Sequence, residues 1–243
     1  MSAIAERLDI VRERVAESAA RAGRTPQSCR LVAVSKGHPN EAIVEAWHAG
    51  QRLFGESYVQ EFATRRDLNL DDVAWHFIGR IQRNKVRDLV DAVDLMHAVD
   101  RPELVAEIGK RAGTRDGANA GAPVRVLLQV NVAGEDSKAG VAPDLAGALL
   151  RDALATPGVL PVGLMTVAPL VDDPELVRPV FRALRDLQQR LRDELARDTP
   201  GAAAVFTELS MGMSDDLAVA VAEGSTLVRV GTAIFGARSY DRP

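Results

Sequence analysis

Short apolar runs alternate with longer helical stretches eight times along these 243 residues, and that alternation restricts the fold more than any other feature. The first four units read Leu31–Val34 then Ala42–His48, Arg52–Phe54 then Tyr58–Arg66, Val73–Ile78 then Arg83–Ala92, and Leu95–Val99 then Glu103–Ala112. The last four read Val124–Val132 then Ala142–Leu154, Val159–Met165 then Glu175–Arg197, Val205–Leu209 then Asp215–Ala222, and Leu227–Val230 then Thr232–Ala237. Strands apolar on both faces suit a parallel sheet covered by helices, so the pattern predicts an α/β chain folded as a single (β/α)8 TIM barrel. A doubly wound open sheet would also alternate, but Val34-Ser35-Lys36-Gly37-His38-Pro39 lacks the glycine fingerprint such folds carry after the first strand.

Ile4, Leu8, Val11 and Val15 recur at helical spacing ahead of the first unit, describing an amphipathic helix closed by Gly23. Residues 1–23 are expected to pack on the barrel as part of one domain spanning 1–243; a helix offering that face to a partner protein is the weaker alternative. Arg115–Pro123, rich in Gly and Ala, reads as a surface loop between the fourth and fifth units.

Charge and cysteine content remove several functions. With 30 Lys+Arg against 34 Asp+Glu the formal charge is −4, which gives nucleic acid no electrostatic reason to bind. Cys29 is the only cysteine, so a disulfide framework and Cys-rich metal sites are excluded and a cytoplasmic location is expected. Glu6 and Arg7 fall where a secretory signal would be apolar, and no segment approaches the roughly 18 apolar residues of a membrane span. His38, His48 and His97 are scattered without carboxylates at ligand spacing, and no metal is predicted.

In a parallel barrel the loops that follow the strands share one face, where chemistry collects. Lys36 stands after the first strand, Gly55-Glu56-Ser57 after the second, His76 to Gly79 at the third, Asn131 near the fifth and Met165 at the sixth. Gly212 and Ser214 after the seventh, with Gly231 and Thr232 after the eighth, offer a glycine-rich phosphate cup at helix starts. Ser214 acting only as an N-cap, with Asp215 and Asp216 as dipole partners, explains the same residues without a ligand. Lys36 beside a cation such as Arg229 would have a depressed pKa suited to imine formation, whereas a solvent-facing lysine is the plainer reading. His76 fits a base, a ring-stacking partner or a core histidine. Arg80, Arg83, Lys85 and Arg87 read as a solvated basic face, with Arg83 and Arg87 four apart.

Seven ordered segments together resemble the pyridoxal phosphate homeostasis proteins, a family with an alanine-racemase-like barrel. They include Leu31-Val32-Ala33-Val34-Ser35-Lys36, Phe54 to Glu61, Trp75 to Gly79 with Gln82-Asn84-Lys85, and Asn131 with Ser137 to Gly140. Gly163-Leu164-Met165, Leu209 to Asp216, and Val228 to Gly236 complete the set. The resemblance implies that Lys36 holds pyridoxal 5′-phosphate as a Schiff base, and that Ser214, Gly231 and Thr232 hold its phosphate with backbone help near Met213. It further implies that Arg229 faces the pyridine nitrogen, that His76 and Met165 line the ring pocket, and that Ser210 and Gly212 lie at the phosphate loop. Ser57, Arg80 and Arg83 depart from the family's usual Asn, Pro and small polar residue. Ser57 would reach the cofactor less far than Asn, and the two arginines would add positive charge at the mouth.

Arginine at the pyridine nitrogen disfavours a protonated ring, and an unprotonated ring is a poor electron sink. Racemisation would also need a second acid/base opposite Lys36, and only Tyr58 and Tyr240 are available. The expected role is therefore a cytoplasmic, monomeric protein of intracellular pyridoxal phosphate homeostasis without robust turnover, delivering the cofactor to apo-enzymes as transient partners. A small amino-acid racemase is the alternative. Lys138 reads as an exposed loop lysine.

Overall fold

The computed structural model describes residues 2–115, 120–135 and 138–237. The strands are β1 Arg30–Val34, β2 Leu53–Glu56, β3 Ala74–Phe77, β4 Leu95–Val99, β5 Val124–Gln129, β6 Val159–Met165, β7 Glu208–Ser210 and β8 Leu227–Val230. Each pairs in parallel with the next, and β8 returns to β1 in the register Val32 to Arg229, closing the barrel. The open-sheet alternative is thereby excluded. Helix α1 Ala3–Arg21 precedes β1, and α2 Asn40–His48, α3 Val59–Arg66, α4 Val86–Leu89 and α5 Pro102–Ala112 cover the first half of the barrel. They are followed by α6 Ala146–Ala155, α7 Arg178–Asp198, α8 Pro200–Val205, α9 Leu217–Ala222 and α10 Thr232–Phe235. Helix α1 packs on α9, α10 and α2 at the seam of the barrel.

Several boundaries move for local reasons. The expected helix Arg83–Ala92 is a 3-10 turn, Arg83–Lys85, followed by the single-turn α4. Its polar start has no apolar residue to bury, and burial begins only at Val86, Leu89 and Val90. Arg83 and Arg87 accordingly do not share a helix face; Arg83 reaches Glu107 and Arg87 reaches its neighbour Asp88. The helix expected from Glu175 starts at Arg178, with Pro179 in its first turn, where a missing N–H costs nothing. Pro200 then opens α8, an extra helix that takes up Val205, the first residue of the expected strand, and β7 starts only at Glu208. The Arg115–Pro123 loop includes residues 116–119, which lie outside the described residues, as do Ser137 and Tyr240.

Side-chain alternation sorts the barrel into an inner and an outer layer. Trp75 of β3 lies outward, its ring 5.4 Å from Phe54 and 5.7 Å from Phe62 of α3. The next residue, His76, therefore turns inward. Ile4, Leu8, Val11, Val15 and Ala19 form the buried stripe of α1, which removes that face from the reach of a partner protein. Arginines fasten the same helix: Arg7 donates to the Ile234 carbonyl at 2.6 Å, and beyond its end Arg24 donates to Val221 at 2.6 Å and Ser225 at 2.9 Å. Among the described residues no helix is long and apolar enough to cross a membrane.

Candidate functional site

A cavity of about 510 Å³ opens at the C-terminal end of the strands. Its wall brings together Lys36, Ser57, Met213, Ser214, Arg229, Gly231 and Thr232, drawn from the loops after β1, β2 and β7 and from β8 and its loop. His76, Met165, Ser210 and Gly212 lie elsewhere: His76, Met165 and Ser210 are buried strand residues beneath it, and Gly212 is packed against Ala220 and Val228. Arg80 and Arg83 do not reach this mouth either; they line a neighbouring cavity.

Lys36 is positioned by its neighbours rather than by its own strand. Ser35 donates through Oγ to Glu56 Oε1 at 2.7 Å, and the Gly37 N–H donates to Glu61 Oε2 at 2.8 Å. Arg65 of α3 ties the arrangement together, donating to Glu56 at 3.2 Å, to the His38 carbonyl at 2.6 Å and to Asn40 Oδ1. Gly37 adopts φ +72°, a left-handed conformation open to glycine, which turns the chain just after Lys36. Burial pushes the Glu56 carboxyl up, with Ser35 and Arg65 opposing. Glu56, which ends β2 near the site, is thus an anchor for the Lys36 loop.

Beneath the cavity a buried chain of polar groups crosses the barrel from β8 to β3. Arg229 donates to Ser210 Oγ at 2.6 Å and to the Thr166 carbonyl at 2.9 Å. Ser210 Oγ lies 2.9 Å from His97 Nδ1, and His97 Nε2 lies 2.9 Å from His76 Nδ1. Burial lowers the Arg229 pKa to about 10, against the pull of Asp216. Burial also pushes His76 down to about 3, with Arg30 and Arg125 adding to the effect. His97 falls well below the usual imidazole range through burial, His76 and Arg229. Both imidazoles are neutral at pH 7, so each carries one N–H and one acceptor nitrogen. Sequence reasoning set His97 aside as scattered; its strand position two residues past Leu95, which pairs with His76, was the available signal. Among the described residues no three His, Cys, Asp or Glu side chains are grouped to hold a metal ion.

The loop after β7 differs from the expected helix cap. Helix α9 begins at Leu217 with Asp216 at its N-cap position, so Ser214 does not cap it. The buried Asp216 carboxylate instead accepts the Met213 N–H at 2.5 Å, which takes that N–H away from any phosphate. Asp215 lines the cavity rim, as does Arg14 of α1, which the sequence did not single out and which donates to the Ser214 carbonyl at 3.4 Å. Gly231 lies close enough to β1 that an added Cβ would stand 3.2 Å from the Val34 carbonyl oxygen. The donor set therefore suits a ligand with both a phosphate and an aldehyde: a lysine amine, a buried guanidinium, serine and threonine hydroxyls and close backbone share one cavity. Tyr58 faces the neighbouring cavity and is not in this wall, and Tyr240 lies outside the described residues.

A closed eight-stranded parallel barrel whose C-terminal face gathers a lysine with glycine- and hydroxyl-bearing loops has the architecture of the alanine racemase barrel class. The family model for "Alanine racemase, N-terminal domain" matches residues 7–239. A pyridoxal phosphate homeostasis protein of Aquifex aeolicus is 44% identical over 97% of this chain and 98% of its own length. The protein of that name in Escherichia coli is 38% identical over the whole of both chains. Among solved structures, PipY of Synechococcus elongatus with PLP bound superposes with a TM-score of 0.78 at 36% identity, covering 96% of this chain and 100% of PipY. The chain belongs to the pyridoxal phosphate homeostasis protein family. Alanine racemase of Corynebacterium glutamicum, at 16% identity and a TM-score of 0.67, shares the fold.

Proposed function

We propose that this chain is a monomeric, cytoplasmic protein of pyridoxal phosphate homeostasis, holding pyridoxal 5′-phosphate as a Schiff base on Lys36 and delivering it to apo-enzymes. The observation that carries the reading is the shared cavity of Lys36, Arg229, Gly231 and Thr232 in a barrel whose relative PipY has been solved with PLP bound. Cofactor binding is the family-level part of this reading; the covalent link and the delivery step go further. Bound there, pyridoxal 5′-phosphate supplies an aldehyde that condenses with an amine, releasing water. Lys36 provides the amine, on a loop fixed by Glu56, Glu61 and Arg65. Thr232, Gly231 and Ser214 hold the phosphate, and Arg229, fixed by Ser210 and Thr166, faces the ring nitrogen and keeps it unprotonated.

That electronic setting supports holding over turnover. A ring without its proton is a weak sink for an electron pair. Cys29 is buried, and burial pushes its thiol up to about 11, which leaves it an unreactive core residue. Delivery is tested by mixing the loaded chain with an apo-aminotransferase in the presence of a scavenger of free aldehyde and following the recovery of transaminase activity. Recovery that outlasts the scavenger supports transfer between the two proteins. Recovery abolished by the scavenger, as for free cofactor, contradicts it.

A further inference from the structure

Next to the Lys36 cavity lies a second one, of about 590 Å³, between the loops that follow β2 and β3. Gly79 separates the two: a Cβ added there would stand 2.1 Å from the Ser57 carbonyl oxygen, so the two loops touch backbone to backbone, and Ser57 lines both cavities. In a chain of net charge −4, this second wall carries Arg80, Arg83, Lys85 and Arg101 and no Asp or Glu. Arg101 is neutralised by Asp100 at 2.5 Å, and Arg83 meets Glu107 only at 3.4 Å. Arg80 and Lys85 have no hydrogen-bond or ion-pair partner for their side chains among the described residues. The floor is Phe77 and Ile81, both buried, and the half-exposed ring of Tyr58 stands at the side.

We propose that this cavity is a second anion site that takes a small phosphate monoester with a flat ring. Arg80 and Lys85 meet the two negative charges, with Arg83 as a third cation, and the ring lies against Tyr58. A phosphate monoester that carries no aldehyde has nothing to condense with the Lys85 amine, so its binding here is reversible and non-covalent. Because Ser57 belongs to both walls, a ligand in the second cavity bears on the mouth of the first; this last point rests on the proposed function, the anion site itself does not.

Phenyl phosphate is the probe, since it has the ring and the dianion but no aldehyde. It is titrated calorimetrically into the chain loaded with one equivalent of pyridoxal 5′-phosphate and freed of excess cofactor by gel filtration, an occupancy of one per chain being confirmed by absorbance. One further site is expected, weakened about tenfold or more in the Arg80→Gln/Lys85→Gln double variant and unchanged in Arg66→Gln, an exposed arginine of α3. Inorganic phosphate is expected to bind more weakly than phenyl phosphate, and Tyr58→Ala to remove that difference. No heat in the singly loaded chain, or equal affinity in the double variant, overturns the proposal. Failure of the chain to take up pyridoxal 5′-phosphate shows in the absorbance instead, contradicting the proposed function while leaving the Arg80 and Lys85 comparison to be read in the unsaturated chain.

Discussion

Arg229 and Ser210 meet inside the barrel with guanidinium and hydroxyl 2.6 Å apart, and this one contact orders the protons of four residues. A guanidinium only donates, so Ser210 Oγ accepts from it and has its own hydrogen left for His97 Nδ1. Neutral His97 then carries its hydrogen on Nε2 and donates it to His76 Nδ1. The chain thus holds Arg229 in a fixed pose at the cavity floor with no carboxylate in ion-pair contact among the described residues, only the longer-range pull of Asp216, which leaves a donor face for a ligand.

Removing the middle of that chain should both loosen the fold and weaken the site. Ser210→Ala leaves Arg229 and His97 each short of a buried partner, a cost of about 1–3 kcal/mol. Urea unfolding is expected to show that loss, and equilibrium dialysis to show weaker uptake of pyridoxal 5′-phosphate. Unchanged uptake would separate Ser210 from the placement of Arg229.

Acid should weaken the protein before its carboxylates titrate. An unfolded histidine takes a proton near pH 6.5, while folded His76 resists until about 3 and His97 is displaced in the same direction. Below about pH 6.5 the unfolded chain therefore binds more protons than the folded one, and stability falls as pH falls, by up to about 1.4 kcal/mol per pH unit for each histidine. Urea midpoints taken between about pH 7.5 and 5 should decline, and His76→Gln should flatten the decline. A midpoint independent of pH in that window would mean that the imidazoles are not held neutral.

Helix α1 behaves as part of the barrel. Leu8 is fully buried in its apolar stripe, and Leu8→Ala is expected to cost about 2–5 kcal/mol in urea unfolding. A loss below about 1 kcal/mol would mean that the helix docks only loosely.

The contact between the β2 and β3 loops has no room for a side chain. Gly79→Ala drives a methyl into the Ser57 carbonyl, and a loss of about 3 kcal/mol or more is expected, with altered binding in the Lys36 cavity that Ser57 lines. Wild-type stability in this variant would contradict the close approach.

The barrel was legible because the alternation of apolar strands with amphipathic helices is a local signal repeated eight times. Lys36, Arg229, Gly231 and Thr232 were legible for the same reason, as strand-end residues on one face. What the sequence hid is what depends on partners far along the chain. Arg14 reaches the mouth only because α1 packs against α9 and α10, and His97 matters only because β3 and β4 pair so that it meets His76. The Ser214 cap failed for a nearer reason: Asp216 offers a carboxylate to the Met213 N–H and holds the loop open before α9 begins. The basic run from Arg80 to Lys85 looked like a solvated face because nothing in its spacing shows that Phe77, Ile81 and Tyr58 build a cavity beside it.

The role given to Lys36 is tested most directly by treating the chain with pyridoxal 5′-phosphate, reducing with borohydride and locating the label by peptide mass spectrometry. The account predicts a pyridoxyl group on the peptide carrying Lys36 at about one per chain, and its loss in Lys36→Ala. Label spread over exposed lysines such as Lys110 to the same extent in both proteins, or no label in either, would contradict it.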